Sequence, residues 1–109
     1  MAISVIIRRT VTNTEKAAQL SPLIVRLRSL ATVQPGYITS QAFACIDCAG
    51  EYLVISTWNT LNDWTTWLNS EERREIQDQI NRLLDTETEY RLYEPLTGGI
   101  IPRFQEETQ

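Results

Sequence analysis

The stretch from residue 51 to residue 77 limits the fold of this chain more than any other part of the sequence. Residues 51–58 form an apolar, β-prone run that ends at Trp58, which predicts a buried strand. Thr60 then offers a side-chain oxygen to cap a helix, with Asp63 three positions later as an acidic variant of the capping box. A strand, a tight connection and a helix are therefore expected in immediate succession.

The helix after this cap carries two of the three tryptophans of the chain. Its apolar stripe recurs at helical spacing, at Leu61, Trp64 and Leu68, and Trp67 lies on its flank. Ser70 restarts the helical region, and two glutamates in the next turn favour a helix N-terminus. The stripe that continues this helical region consists of Ile76, Ile80, Leu83 and Leu84.

The rest of the chain supplies three more strands and one earlier helix. The four predicted strands are Ile3–Val11, Tyr37–Asp47, Glu51–Trp58 and Asp85–Tyr93. The earlier helix begins at a cap on Asn13 or Thr14 and ends before Pro35. Ser21-Pro22 lies inside it, so we expect either a kink or a fresh helix start with Ser21 as the cap.

The element order β-α-β-β-α-β predicts an α+β, ferredoxin-like fold. Right-handed crossovers place four antiparallel strands in one sheet and both helices on one face. Strand residues 37–47 are not strongly polar on either face, so we expect a second copy of the chain to cover the other side, as a homodimer. Residues 1–109 form one domain, with a core over residues 3–93 and a C-terminal tail over residues 94–109. The tail residues that are candidates for docking on the body or on a partner are Ile100, Ile101 and Phe104.

Composition excludes several classes of function. The chain contains no histidine, which removes the commonest general base, the commonest metal ligand and the usual haem ligand. The net charge is −4, and the basic pairs Arg8-Arg9 and Arg73-Arg74 are too small for a nucleic-acid footprint. No apolar run reaches transmembrane length, and the first arginine pair interrupts the N-terminal apolar run too early for a signal peptide. We therefore expect a cytoplasmic protein that binds neither nucleic acid nor membrane.

Cys45 and Cys48 form a C-x-x-C pair. A structural zinc site needs four ligands, and the chain has no second cysteine pair and no histidine. A thioredoxin-like redox pair lies at a helix N-terminus, whereas these two residues lie at the end of a strand. We interpret them as two reduced cysteines without a special role.

Two segments resemble a known family. The first is W-N-T-L-N-D-W-T-T-W-L-N-S-E-E-R-R over residues 58–74, in which a strand that ends in tryptophan leads into a tryptophan-bearing helix. The second is Q-P-G-Y over residues 34–37, which looks like an entry into the second strand. Both resemble the antibiotic biosynthesis monooxygenase domain family of the dimeric α/β-barrel superfamily, and the element order is similar over residues 3–93. The resemblance implies a dimeric α/β barrel whose relatives include cofactor-free monooxygenases of phenolic or quinol substrates, haem-degrading enzymes and proteins of unassigned role.

Only some of the functional residues of these relatives have a matching residue in this chain. Haem-degrading relatives place a tryptophan on this helix, a histidine iron ligand ten residues later and an asparagine on the first strand. Trp67 matches the tryptophan, but the histidine position falls on Gln77. The asparagine position falls near Ile7 or Arg8, so haem degradation of that kind is not expected. The cofactor-free relatives have a polar residue one turn before the tryptophan, where this chain has Asp63.

We predict a site beside the helix that carries Trp67. The candidate residues are Trp67, Asp63 and Arg8 for catalysis, and Trp58, Trp64 and Tyr37 for substrate binding. Each has a structural alternative, because the tryptophans can pack in the core and Asp63 can cap the helix. Trp64 lies on the apolar stripe and has the stronger claim to the core. Either Arg8 or Arg9 can point into a pocket or stay solvated.

Two hypotheses from different classes stay open. The first is a homodimeric oxidoreductase, a cofactor-independent monooxygenase that acts on a small aromatic substrate and uses neither metal nor flavin. The second is a non-catalytic module that binds a small molecule or assembles with a partner on the same fold. An open cavity with a polar wall favours the first, and an interior packed shut by tryptophans favours the second. Haem binding through another ligand is a third alternative.

Overall fold

The computed structural model describes residues 2–96. Its elements are β1 (Ile3–Thr10), α1 (Thr14–Ala31), β2 (Tyr37–Ala44), β3 (Glu51–Trp58), α2 (Leu61–Leu68), α3 (Glu71–Leu84) and β4 (Glu89–Tyr93). The ferredoxin-like α+β fold is confirmed, with the second helical region divided into α2 and α3. Within the described range, no helix has the length and the apolar composition that a membrane crossing requires. The docking predicted for Ile100, Ile101 and Phe104 lies outside the described residues.

The four strands form one antiparallel sheet in the order β2-β3-β1-β4. β1 pairs with β3 from Ile3 opposite Trp58 to Thr10 opposite Glu51. β4 pairs with the other edge of β1, and β2 pairs with β3 after a register irregularity near Tyr37. This order brings the two chain-distant strands β1 and β4 side by side.

One face of the sheet packs against the helices and holds the core. On β1 the buried residues Ile3, Val5 and Arg9 alternate with more exposed ones, as expected of a strand with one covered face. The other core residues are Leu20, Leu27, Trp58, Trp64, Trp67, Ile76, Ile80 and Leu84. The opposite face of the sheet carries apolar residues that are partly or largely exposed, namely Ile6, Phe43, Leu53, Ile55 and Tyr93.

Each helix begins at a capping residue that the sequence predicts. Asn13, Thr60 and Ser70 precede α1, α2 and α3. Each side chain accepts a hydrogen bond from the backbone N–H three residues later, which satisfies a donor that the helix leaves unpaired.

Pro22 lies inside an uninterrupted α1, so the alternative of a fresh helix start at Ser21 is wrong. Proline removes one hydrogen-bond donor from a helix interior and crowds the preceding turn. Leu20 and Leu27, on either side of it, are both buried. Their burial in the core offsets the loss and holds the two halves in one helix.

Two strand boundaries differ from the predicted ones. β2 ends at Ala44 instead of Asp47, because the chain turns there into the hairpin that leads to β3. β4 begins at Glu89 instead of Asp85. Asp85 adopts the left-handed conformation with φ 56° and donates its N–H to the Asn81 carbonyl, which ends α3.

Cys45 and Cys48 are joined by a disulfide, so the prediction of two reduced cysteines is wrong. The early turn after β2 brings their Cα atoms to 5.4 Å, a normal separation for a disulfide. An extended strand would have kept them about 10 Å apart. The Glu51 carboxylate and the two sulfurs lie within 4.8 Å of one another, but bonded sulfurs offer a metal no thiolate.

Candidate functional site

A cleft lies between the helix-facing side of the sheet and the three helices. Strands β1 to β3 and all three helices contribute to its lining, which is mostly apolar or aromatic. Its volume is about 50 Å³, which is room for a few water molecules. A ligand with a fused ring system therefore requires side chains at the rim to move.

Four aromatic rings form a continuous row that begins at the rim of the cleft. Tyr37 meets Trp58 edge-on with ring centroids 5.6 Å apart. Trp58 meets Trp64 at 5.8 Å, and Trp64 meets Tyr90 at 5.9 Å. Trp67 lines the same cleft and is 4% exposed. Edge-on and tilted ring contacts are favourable, so a flat aromatic ligand meets an ordered apolar wall.

Local sequence explains how these rings meet. Tyr37 begins β2 and is the register partner of Trp58, which ends β3. The Thr60 cap then starts α2, which returns Trp64 and Trp67 to the core on one helix face, since residues three apart are neighbours.

Two buried arginines contribute to the polar lining of the cleft. Arg9 of β1 is 4% exposed, and Arg73 of α3 is 5% exposed. Arg9 donates through Nη2 to Gln77 Oε1 at 3.0 Å and through Nε to Thr88 Oγ1 at 3.2 Å. Arg73 donates through Nη1 to the Leu68 carbonyl at 3.1 Å. Both arginines are among the residues that line the cleft.

Tyr90 connects the two arginines. Its hydroxyl accepts a hydrogen bond from Arg73 Nη2 and donates one to Gln77 Oε1 at 3.1 Å. The Arg73 guanidinium also lies over the Tyr90 ring, 5.2 Å from its centroid, in a cation–π contact. Burial lowers the pKa of Arg73 below its ordinary value; the Tyr90 hydroxyl opposes this shift, and the positive charge of Arg9 adds to it. The guanidinium stays charged because the ordinary pKa of arginine is so high.

Gln77 holds this network together. Its Oε1 accepts from Arg9 and Tyr90, and its Nε2 donates to Thr88 Oγ1 at 2.7 Å and to Asn81 Oδ1 at 2.8 Å. The family resemblance described above would place a histidine ligand of haem at Gln77. Because both ends of its amide are engaged within the protein, it does not fit a haem iron.

The structure brings four of the six predicted site residues together. Trp58, Trp64, Trp67 and Tyr37 all line the cleft. Trp64 is also part of the core, as its place on the apolar stripe indicated. These four residues share one cleft, and their role in binding a substrate stays a prediction.

Asp63 does not line the cleft. Its backbone N–H donates to Thr60 Oγ1 at 3.0 Å, and its carboxylate accepts from the same hydroxyl at 2.8 Å. The side chain also lies directly against Gly36. Asp63 thus takes part in the cap of α2, close to its structural alternative, because its carboxylate holds the hydroxyl of the capping residue Thr60.

Arg8 lies on the face of the sheet opposite the cleft, because successive side chains of a strand alternate between faces. Its guanidinium pairs with Glu89 at 2.6 Å and with Glu51 at 3.8 Å. The hydrogen bond and the charge of Glu89, with the charge of Glu51, raise the pKa of Arg8. Arg9 is the arginine that enters the cleft.

Sequence reasoning missed Arg73 and Gln77 and left Arg9 undecided. A signal for Arg9 is present, because it shares its strand parity with Ile3, Val5 and Ile7. A signal for the other two is also present, because helical spacing places them on the buried stripe with Ile76, Ile80 and Leu84.

The fold and the cleft define an α+β domain of ferredoxin-like topology, with an aromatic-lined cleft beneath its helices. The sequence pattern of the antibiotic biosynthesis monooxygenase family matches residues 2–79. The chain belongs to this family. No functionally curated protein matches the sequence.

Solved structures with the same fold include an oxygenase. SnoaB, a cofactor-independent oxygenase from Streptomyces nogalater, is 18% identical with a TM-score of 0.75, over 94% of this chain and 98% of its own. A conserved protein from Methanosarcina mazei is 22% identical with a TM-score of 0.76, over 85% of this chain and 91% of its own. Rv0793 from Mycobacterium tuberculosis is 15% identical with a TM-score of 0.75, over 92% of this chain and 100% of its own. At these identities the likeness shows the shared fold.

Proposed function

We propose that this protein is a cofactor-independent monooxygenase that acts on a small aromatic substrate of the phenol or quinol type. The observation that carries the proposal is the cleft, in which a row of aromatic rings leads to two buried arginines. Membership of the antibiotic biosynthesis monooxygenase family supports oxygenase chemistry. The likeness to SnoaB, a cofactor-independent oxygenase, supports a reaction without metal or flavin.

The proposed reaction starts from the ionised substrate. The substrate anion gives an electron to dioxygen, and the two combine as a peroxide at carbon. Loss of water then converts a methylene carbon into a carbonyl, so one oxygen atom enters the product and the other leaves as water. The lining contributed by residues 2–96 contains no carboxylate and no histidine, so the protein binds the ring, excludes water and stabilises charge, while the proton leaves to solvent.

Trp67 is the residue that we propose to hold the substrate ring, with Trp58, Trp64 and Tyr37 as the remaining wall. The rim of the cleft is polar and more exposed. There the Tyr37 hydroxyl lies 2.9 Å from Ser40 Oγ, and Arg28 Nη2 lies 3.5 Å from the same oxygen. Of these, the Ser40 and Arg28 side chains are the ones that we expect to turn aside when a ligand enters.

Oxygen uptake with a panel of quinols and anthrones tests the proposal. We expect uptake above the uncatalysed rate with at least one compound, and loss of that uptake in Trp67→Ala. Deletion of a buried tryptophan costs about 3–5 kcal/mol, so the variant is assayed below its measured melting temperature. Leu61→Ala, at an exposed position of the same helix, is the control that retains activity. No uptake with any compound of the panel would contradict the proposal.

A non-catalytic binding or assembly module is the second candidate. Two observations favour it: the small volume of the cleft, and the lack of a carboxylate or histidine in the described lining. It predicts that aromatic compounds change the tryptophan fluorescence without any consumption of oxygen, or that none of them binds. The oxygen-uptake panel, read together with fluorescence, separates the two candidates.

We also propose that the protein is a homodimer joined through the uncovered face of its sheet. The apolar side chains on that face are Ile6, Phe43, Leu53, Ile55 and Tyr93. Their burial against an identical surface is favourable, and two-fold pairs are the commonest closed assembly. Ultracentrifugation should give the mass of a dimer for the wild type and for Val33→Lys, an exposed control, and the mass of a monomer for Ile55→Lys. A monomeric wild type would contradict the proposal.

The cytoplasmic location stays a prediction.

A further inference from the structure

We propose that the cleft takes its ligand as an aromatic oxyanion, held by Arg9 and Arg73. The ligand class is a flat ring that bears a phenolate, enolate or carboxylate oxygen. The inference rests on the proposed function only in taking this cleft as the ligand site, and it does not require turnover.

The first observation is that both arginines are buried without a negative partner among residues 2–96. Within residues 2–96, the groups that accept their hydrogen bonds are the neutral oxygens of Gln77, Thr88, Leu68 and Tyr90. The exposed Arg8, by contrast, pairs with two glutamates. Among the described residues, the positive charge is therefore unbalanced where it is most shielded from water.

The second observation is the cost of this arrangement. A buried charge without a counter-charge is unfavourable, and a second charge of the same sign nearby makes it more so. The pKa of Arg73 reflects both effects, since burial lowers it and the charge of Arg9 lowers it further. An anion in the cleft would supply the missing counter-charge and would offset the repulsion between the two arginines.

The third observation is that hydrogen-bond donors remain available. Arg9 uses Nε and Nη2, and its Nη1 makes no hydrogen bond with the described residues. Each guanidinium group has more N–H donors than its two bonds use, and its planar fork suits oxyanions. Arg9 and Arg73 both line the cleft, so we expect their spare donors to be within reach of a ligand there.

The fourth observation explains why the anion should be aromatic. The row of rings leads from the rim to Tyr90, and the Arg73 guanidinium lies over the Tyr90 ring. A ligand with one flat ring and one oxyanion matches both the wall and the charge. The same two charges favour the ionised form of a phenol or enol, which supplies the reactive anion in a cleft whose described lining has no base.

Two small probes, titrated in the absence of oxygen, test the inference. Benzoate is expected to bind at least about tenfold more tightly than benzamide, its neutral counterpart of similar shape. Para-nitrophenol, whose phenolate is yellow, is expected to ionise at a lower pH when bound than when free. Tryptophan fluorescence reports binding, because all three tryptophans of the chain line the cleft.

Matched variants assign the effect to the two arginines. Arg9→Met is expected to fold, because Gln77 Oε1 keeps its donor from Tyr90 and Thr88 Oγ1 keeps its donor from Gln77. It should reduce the preference for benzoate over benzamide by about tenfold or more. Arg73→Met should do the same and serves as the second variant. Arg26→Met removes one exposed arginine from α1 and should leave the preference unchanged.

Equal affinity of the wild type for benzoate and benzamide, together with an unshifted para-nitrophenol, would overturn the inference. A preference that survives in both Arg9→Met and Arg73→Met would also overturn it. If only benzoate shows selective binding, or only para-nitrophenol shows a shifted ionisation, the inference is supported and the result tells whether the cleft prefers carboxylates or phenolates. Selective binding of anions without oxygen uptake would support this inference and reject the proposed monooxygenase activity. Oxygen uptake without a preference for anions would support the monooxygenase activity and reject this inference.

Discussion

Substitution of tyrosine by phenylalanine is expected to have opposite effects on stability at two positions. The Tyr52 hydroxyl is buried and has no hydrogen-bond partner among the described residues. An unpaired buried polar group costs about 1–3 kcal/mol, and phenylalanine keeps the ring without that group. Tyr52→Phe is therefore expected to raise the free energy of unfolding by about 1 kcal/mol, at the lower end of this range because the residue as a whole is only partly buried.

Tyr90→Phe is the matched comparison. The Tyr90 hydroxyl accepts from Arg73 and donates to Gln77, so its removal leaves a buried guanidinium with one acceptor fewer. Hydrogen bonds to charged groups contribute about 1.5–3 kcal/mol. We expect this variant to lower the free energy of unfolding by about 2 kcal/mol.

Urea unfolding followed by tryptophan fluorescence measures both changes from the midpoint and the slope. Protein concentration is held constant, because dimer formation would make stability depend on it. In a domain of this size, a change of 1 kcal/mol moves the melting temperature by roughly 4 °C or more. A loss of stability in Tyr52→Phe would contradict the unpaired state of the Tyr52 hydroxyl. A gain in Tyr90→Phe would refute the hydrogen-bond assignment on which the polar half of the site depends.

Three further changes test the fold. Gly36→Ala should lower the free energy of unfolding by at least about 1–2 kcal/mol, because Gly36 has φ +83° and an added Cβ would collide with the Asp63 side chain; an unchanged urea midpoint would contradict this. Pro22→Ala should raise it by about 1–3 kcal/mol, because alanine restores a donor inside α1; thermal melting checks this, and a lower melting temperature would refute it. Thiol titration of the folded, unreduced protein should find Cys45 and Cys48 unreactive and should find both after reduction, whereas two reactive thiols from the start would show that the disulfide is absent.

Much of the fold could be predicted because its signals are local. β3 begins at Glu51 and ends at Trp58, as predicted, and Thr60 and Ser70 cap the two following helices. Apolar periodicity and capping side chains act over a few residues, so the sequence displays them directly. The aromatic wall followed from the same stretch, because the helix that carries Trp67 follows the strand that ends in Trp58.

The polar half of the site was harder to predict because it depends on faces and on long-range pairing. Arg8 and Arg9 are adjacent, and only the register of β1 decides which of them enters the cleft. Arg73 lies on the buried stripe of α3, but a charged residue is normally assigned to solvent. Tyr90 reaches Arg73 only because β4 pairs with β1, a contact that no local pattern shows.

The decisive measurement follows the oxygen atoms. Wild-type protein is supplied with isotopically labelled dioxygen and the most active compound of the quinol and anthrone panel, and the product is examined by mass spectrometry. We expect one labelled oxygen atom in the product of the wild type and none above background with Trp67→Ala. Product oxygen that comes from water, or no product with any compound, would contradict the monooxygenase and leave the cleft as a binding site alone.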